Sequence, residues 1–276
     1  MKQDPSFDSN NETRLLVSVR SAAEAQLAIQ AGVDVIDVKD PTRGSLGNAS
    51  PETWQEVLNL VGDAVPTSAA CGELVDGLSS PAVSNSDILE QSFLHDSGRL
   101  DDFLARSEPE FHPTLPVAGF TYAKIGLSGC ARIDNWKKLY KSWMKRLPAG
   151  TQAVAVCYAD AQLAEAPEWA LVLREAKRMG CAAILLDTFD KQRGGLMDHW
   201  SLGEVAAFIA AARATEMQSA ISGSLDLGSI PDLLALQPDL IAIRGAICVG
   251  DRSTSIDANR LKSLVGLFHP DNTLTA

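Results

Sequence analysis

The stretch Val33-Asp34-Val35-Ile36-Asp37-Val38-Lys39-Asp40 runs directly into Pro41-Thr42-Arg43-Gly44-Ser45-Leu46-Gly47. The first segment reads as a buried strand, its apolar residues interrupted by Asp34 and Asp37, and the second reads as a loop. Side chains alternate along a strand, so Asp37 and Lys39 project to one face. An amine and a carboxylate therefore stand together at the C-terminal end of a strand. In parallel α/β proteins that end carries the chemistry. A lysine placed there can attack a carbonyl carbon, provided its surroundings lower its pKa.

Outward from this segment the chain keeps a regular beat of short apolar runs and helical patterns. Strands are predicted at Leu15–Val19, Val33–Lys39, Thr67–Cys71, Thr121–Gly126, Ala153–Tyr158, Ala182–Asp187, Gln218–Ser222 and Leu240–Arg244. Amphipathic helices are predicted at Ser21–Ala31, Pro51–Val61, Asn135–Arg146, Glu165–Met179, Ser201–Ala214, Leu227–Leu236 and Asp257–Phe268. Ser50-Pro51-Glu52 is a helix start, with an N-cap serine and proline in the first turn. Eight strands without a dinucleotide-type glycine fingerprint favour an α/β fold of the closed (β/α)₈ TIM-barrel type over an open doubly wound sheet. We expect one barrel domain over 14–268, with tails at 1–13 and 269–276. A long insertion at about 74–119, between strands three and four, holds broken helical pattern at 86–93 and 99–105. It reads as decoration or packing rather than as a lid or an oligomer contact.

Composition narrows the functional classes. The chain has 276 residues, 46% hydrophobic and 21% charged, which suits a soluble protein with a large core. Its net charge of −11 argues against general nucleic-acid or anionic-membrane binding. The N-terminal segment is polar and offers no apolar run for a signal or a membrane span. Cys71, Cys130, Cys157, Cys181 and Cys248 are scattered, without a CxxC pair or zinc spacing, so a reduced, cytoplasmic chain without a metal site is expected. Whether it forms a homo-oligomer is left open.

Period two places further polar groups at strand ends. Lys124 sits among apolar neighbours on strand four, Asp187 ends strand six, and Lys191 follows in the next loop. Glu73 lies just past strand three and Asp160 just past strand five. Each lysine alone reads as readily as part of a structural ion pair. Three lysines and two aspartates together are costly unless function offsets the crowding. Lys124 close to Lys39, with partial desolvation, would depress an amine's pKa, and Asp37 or Asp187 could shuttle protons. The turns Ser222-Gly223-Ser224 and Arg244-Gly245-Ala246 follow the last two strands. Their small residues expose backbone N–H groups where barrels hold phosphate, which makes a phosphate site the favoured reading. Cys157 and Cys248 are assigned to packing.

These residues together resemble the (5-formylfuran-3-yl)methyl phosphate synthases, also called 4-(hydroxymethyl)-2-furancarboxaldehyde-phosphate synthases. The similarity runs from about Leu15 to Leu264. It is carried by Asp34-Val35-Ile36-Asp37-Val38-Lys39, Gly44-Ser45-Leu46-Gly47, Ala123-Lys124-Ile125-Gly126-Leu127 and Tyr158-Ala159-Asp160-Ala161. Leu186-Asp187-Thr188, Lys191, Ser222-Gly223-Ser224, Arg244-Gly245-Ala246-Ile247-Cys248 and Gly250-Asp251-Arg252 complete it. The resemblance implies a barrel that joins two glyceraldehyde 3-phosphates into a phosphorylated furan aldehyde, without metal or redox cofactor, for methanofuran-type carriers of one-carbon metabolism. It implies Lys39 as the Schiff-base lysine with Asp37 as its proton partner. Lys191 and Asp187 would be a second acid/base pair, and Lys124 an additional active-site lysine. Where the resemblance leads one to expect an aspartate after strand three, this chain has Glu73. Two rivals remain: another Schiff-base aldolase acting on a phosphorylated sugar, and a non-catalytic sugar-phosphate-binding barrel.

Overall fold

The computed structural model describes residues 12–78 and 111–270. Eight parallel strands pair in chain order: β1 (Arg14–Val19), β2 (Val35–Val38), β3 (Thr67–Glu73), β4 (Tyr122–Gly126), β5 (Gln152–Tyr158), β6 (Ala183–Asp187), β7 (Gln218–Ile221) and β8 (Leu240–Ile243). Leu16 of β1 lies opposite Ala242 of β8, which closes the ring and leaves no sheet edge. The closed barrel is the architecture expected from the sequence, and the open sheet is excluded.

Helices alternate with the strands: α1 (Ala22–Ala31), α2 (Pro51–Val61), α3 (Trp136–Arg146), α4 (Ala161–Ala164), α5 (Trp169–Met179), α6 (Leu196–His199), α7 (Leu202–Ala214), α8 (Ile230–Ala235) and α9 (Ala258–Phe268). Local chemistry sets their ends. The Ser21 side chain accepts from the N–H of Glu24 to start α1, and Gly32, at φ 85°, stops it in a left-handed turn. Ser50 caps α2 with Pro51 in its first turn, and Ser201 and Glu204 form a reciprocal capping box on α7.

Alternation along each strand divides the core. Leu16, Val35, Ala70, Tyr122, Val154, Leu185, Ala220 and Leu240 belong to one buried cluster, which fills the barrel. Val17, Ile36, Ala69, Ala123, Ala155, Ile184, Ile221 and Ile241 belong to the other, packed against the helices. The polar residues of interest take the inward phase of this pattern, above the apolar floor.

Several elements depart from their predicted bounds, most by a single residue; β2 is shortened from Val33–Lys39 to Val35–Val38. The helix expected over Glu165–Met179 starts at Trp169, because Glu165 is left-handed at φ 49° and Pro167 keeps its predecessor out of the helical region. The helix expected from Leu227 starts at Ile230. Strand β3 runs on to Glu73, through a register shift against β4 between Ala70 and Glu73. The chain between β3 and β4 is long, as expected. Its described ends are the short turn Leu74–Gly77 and an antiparallel bridge between Leu78 and Phe111. The patterns at 86–93 and 99–105 lie outside the described residues, as do 1–11 and 271–276 of the expected tails. All five cysteines are buried and free, and burial pushes their thiol pKa values up. No helix among the described residues is long and apolar enough to cross a membrane.

Candidate active site

The C-terminal mouth of the barrel opens into a cleft of about 650 Å³, bordered by Lys39, Lys191, Ser222, Ser224, Gly245 and Arg252. A cleft of that size suits a small phosphorylated molecule. Lys39 lies one residue past β2, where its N–H still donates to the carbonyl of Val19 at 3.0 Å and extends the ladder. Its ammonium makes no direct hydrogen bond among the described residues. Burial is the main cause that brings its pKa down from 10.5 to about 7. Asp187 and Asp37 oppose that fall, while Arg252 and Lys124 reinforce it. At neutral pH a large fraction of this amine is therefore uncharged and nucleophilic.

Below it lies a buried pair. Lys124 Nζ donates to Asp37 Oδ1 at 2.6 Å, and Ser18 Oγ donates to Asp37 Oδ2 at 2.9 Å. Alternate strands of a barrel share a layer, which lets a β4 side chain reach β2. Strand β3 contributes only Ser68 and Ala70 at this level, leaving room for the lysine stem. Burial alone would raise the Asp37 pKa, but Lys124 and Lys39 outweigh it and hold the carboxyl below its usual range. Asp37 is thus bonded to Lys124 rather than directly to Lys39.

On β6, Asp187 accepts from Ser45 Oγ at 3.0 Å, from the N–H of Thr188 at 2.8 Å and from Lys191. Burial raises its pKa, and Lys191 and Lys39 bring it down to about 2. Lys191 also donates to Thr188 Oγ1 at 3.0 Å, and its own pKa is lowered, chiefly by burial against the pull of Asp187. The pair therefore joins a firmly ionised carboxylate to an amine that gives up its proton more readily than usual. Asp160 stands behind them. It accepts from the N–H groups of Phe189 at 2.7 Å and Asp190 at 2.9 Å, and so fixes the loop that carries Lys191.

The two turns border the cleft with their backbones. Gly223 has φ 108° and Ser224 φ 50°, a pair of left-handed residues that folds the turn back on itself. A side chain on Gly223 would press within 3.2 Å of the Thr188 nitrogen. Gly245 and Ala246 open the short turn Gly245–Ile247. Arg244 borders the cleft, but its guanidinium departs from the sequence expectation of a phosphate ligand. It is buried against Glu24 at 2.8 Å and also donates to the carbonyls of Ser18 at 2.8 Å, Arg252 at 2.6 Å and Thr254 at 3.1 Å. Its charge is matched by Glu24, and its function in the fold is to bind β8 to α1 and to the loop 250–254.

Arg252 is the cation that a reading of strand ends misses, because it lies in the loop beyond β8. Its guanidinium donates to the carbonyl of Gly44 at 3.0 Å, and it acts electrostatically on Lys39, Lys191 and Asp187. Its signal in the sequence is Gly250-Asp251-Arg252, a turn-like triplet that by itself points to no task. Ser18 and Ser45 escape the same reading, since a lone serine in a strand or loop carries no pattern. Glu73 closes the far side of the mouth, where it accepts from the Tyr158 hydroxyl at 2.6 Å.

Similarity to known proteins covers most of the chain. The family model for 4-HFC-P synthase matches residues 15–89 and 109–265. A (5-formylfuran-3-yl)methyl phosphate synthase from Methanococcus aeolicus is 30% identical over 261 residues, covering 92% of this chain and 98% of that protein. Its counterpart from Archaeoglobus fulgidus is 27% identical over 265 residues, covering 93% and 99%. Among solved structures, 3-hexulose-6-phosphate synthase from Salmonella typhimurium superposes with a TM-score of 0.51 at 14% identity, covering 93% of this chain and all of that one; it shares the fold.

Proposed function

This chain belongs to the 4-HFC-P synthase family, and we propose that it condenses two molecules of glyceraldehyde 3-phosphate into (5-formylfuran-3-yl)methyl phosphate. One phosphate and two waters leave, so carbon, oxygen and phosphorus balance without an oxidant or reductant. The observation that carries the reading is Lys39: an amine open to the cleft, without a direct hydrogen-bond partner among the described residues, its pKa brought to about 7 chiefly by burial. At neutral pH an aldehyde reaching it meets the uncharged, nucleophilic amine in a large fraction of molecules.

Lys39 attacks the carbonyl of one triose phosphate and expels water as an iminium. The iminium acidifies the adjacent carbon, and the Asp187–Lys191 pair takes that proton to give an enamine. The enamine carbon adds to the aldehyde of the second triose. Elimination of phosphate and water, ring closure and release from Lys39 give an aromatic furan, whose stability drives the sequence forward. Asp37, fixed by Lys124, stands in the layer below as the fixed negative charge that favours the iminium. The phosphate kept in the product sits on the turns Ser222–Ser224 and Gly245–Ala246, with Arg252 supplying the charge that Arg244 does not. The reaction makes the protein a carbon–oxygen lyase, placed in methanofuran-type carrier synthesis.

Incubating the purified protein with glyceraldehyde 3-phosphate alone, and following ultraviolet absorbance and mass, tests the proposal. A furan aldehyde phosphate is expected. Folded protein that forms a borohydride-trapped adduct but no furan would mean a different aldol partner, and absence of both would leave a binding barrel.

A further inference from the structure

On the side of the mouth away from the phosphate turns, the fold has made room for one more carboxyl. The register shift at the end of β3 sets Glu73 opposite Gly126, a position on the inward phase of β4. Bulges of this kind re-aim a side chain, and they recur beside active sites. Gly126 completes the arrangement, since a Cβ there would lie 2.0 Å from Glu73 Oε2 and 2.3 Å from the Tyr158 hydroxyl. Oε1 accepts from that hydroxyl at 2.6 Å, and Oε2 accepts from the N–H of Ser128 at 2.9 Å. Tyr158 is registered against Asp187 and feels its charge, which ties the pair to the lysine centre.

Glu73 differs from the two aspartates of the site in what faces it. No lysine or arginine pairs with it among the described residues. Its titratable neighbours are Tyr158 on β5, Asp76 in the turn after β3 and Cys130 beyond β4. The Asp76 carboxylate accepts the backbone N–H of Glu73 at 3.0 Å. Burial raises the Glu73 pKa, and the hydrogen bonds from Tyr158 and Ser128 offset that only in part. The mouth thus holds two carboxylates whose pKa values lysines lower and a third, without a cation beside it among the described residues, whose pKa burial raises.

We propose that Glu73 is a catalytic general acid for the dehydration that follows carbon–carbon bond formation, held in place by Tyr158. The carboxylic acid gives its proton to a departing hydroxyl of the six-carbon adduct while the Asp187–Lys191 pair removes the proton from the neighbouring carbon. One C–O and one C–H bond break, a C=C bond forms, and the hydroxyl leaves as water. The proton taken from carbon returns to solvent, and Glu73, half-buried at the rim, takes one back. This role rests on the synthase reading above.

The test compares wild type, Glu73→Gln and Glu73→Asp with glyceraldehyde 3-phosphate as substrate, reading borohydride-trapped adduct, furan formation and six-carbon species by mass. Glu73→Gln keeps the size of the side chain and removes the acid. The expected result is an undiminished adduct, furan formation slowed about 100-fold, and accumulation of a six-carbon species heavier than the product by one water. Glu73→Asp should restore part of the rate. A Glu73→Gln protein that forms furan at the wild-type rate, with no six-carbon species accumulating, overturns the assignment. So does one that loses adduct and furan equally, which marks a structural residue. Wild type that makes no furan instead overturns the synthase reading, and this role with it.

Discussion

Lys39 and Lys124 are buried to nearly the same degree, 7% and 4% exposed, in the same barrel. Their surroundings differ. Lys124 lies in the packed interior with a carboxylate at 2.6 Å, whereas Lys39 borders the cleft and has only the more distant charges of Asp187 and Asp37. Burial by itself does not make a lysine a nucleophile. What distinguishes Lys39 is burial without a direct counterion among the described residues, together with an open approach. The paired lysine in turn fixes the charge of Asp37 beneath the reacting centre.

Removing each amine should separate the two roles. Lys39→Ala is expected to lower furan formation by about 10³-fold or more while leaving the protein folded; steady-state rates and circular dichroism check both. Lys124→Met should act mainly on stability, because it leaves Asp37 as an uncompensated buried charge. The expected loss is about 3–5 kcal/mol, read by urea denaturation, with most of it recovered in the double variant Lys124→Met/Asp37→Leu. If Lys124→Met retained full stability, the ion pair would not be what holds this layer.

Stability against pH sharpens the contrast. Folded Lys39 gives up its proton near pH 7, while in the unfolded chain it keeps the proton to about 10.5. Between those values the unfolded state binds more protons, so this group makes folding more favourable as pH rises. Lys39→Met should therefore be more stable than wild type at pH 7 and below. The gain should be a few kcal/mol, since each pH unit separating the folded and unfolded pKa is worth roughly 1.4 kcal/mol. The advantage should shrink steadily toward pH 10.5. An advantage that does not vary with pH would argue against the lowered pKa. The smallest effect concerns the third lysine. Asp160→Asn keeps one acceptor for the loop bearing Lys191, and should cost about 1 kcal/mol and slow turnover modestly.

Period two and strand ends are enough to bring Asp37, Lys39, Lys124, Asp187 and Lys191 into one mouth from the sequence alone. That works because a parallel barrel lines up every strand's C-terminal end on one face. Which groups pair within the mouth depends on shear and on neighbouring side-chain size, and a single strand encodes neither. Thus Asp37 is bonded to Lys124 across β3, and Arg244 meets Glu24 from the far end of the chain. The inward turn of Glu73 depends on a bulge that has no sequence signature beyond the glycines at 72 and 126. Arg252 sits in an irregular loop, to which neither helical nor strand period applies.

The most direct measurement is the site of the covalent adduct. Protein treated with glyceraldehyde 3-phosphate and borohydride, digested and mapped by mass, should carry the triose on the peptide containing Lys39. The trapping rate should rise through pH 7 and level off above it, following the neutral amine. An adduct on Lys124 or Lys191, or none at any pH, would contradict the account.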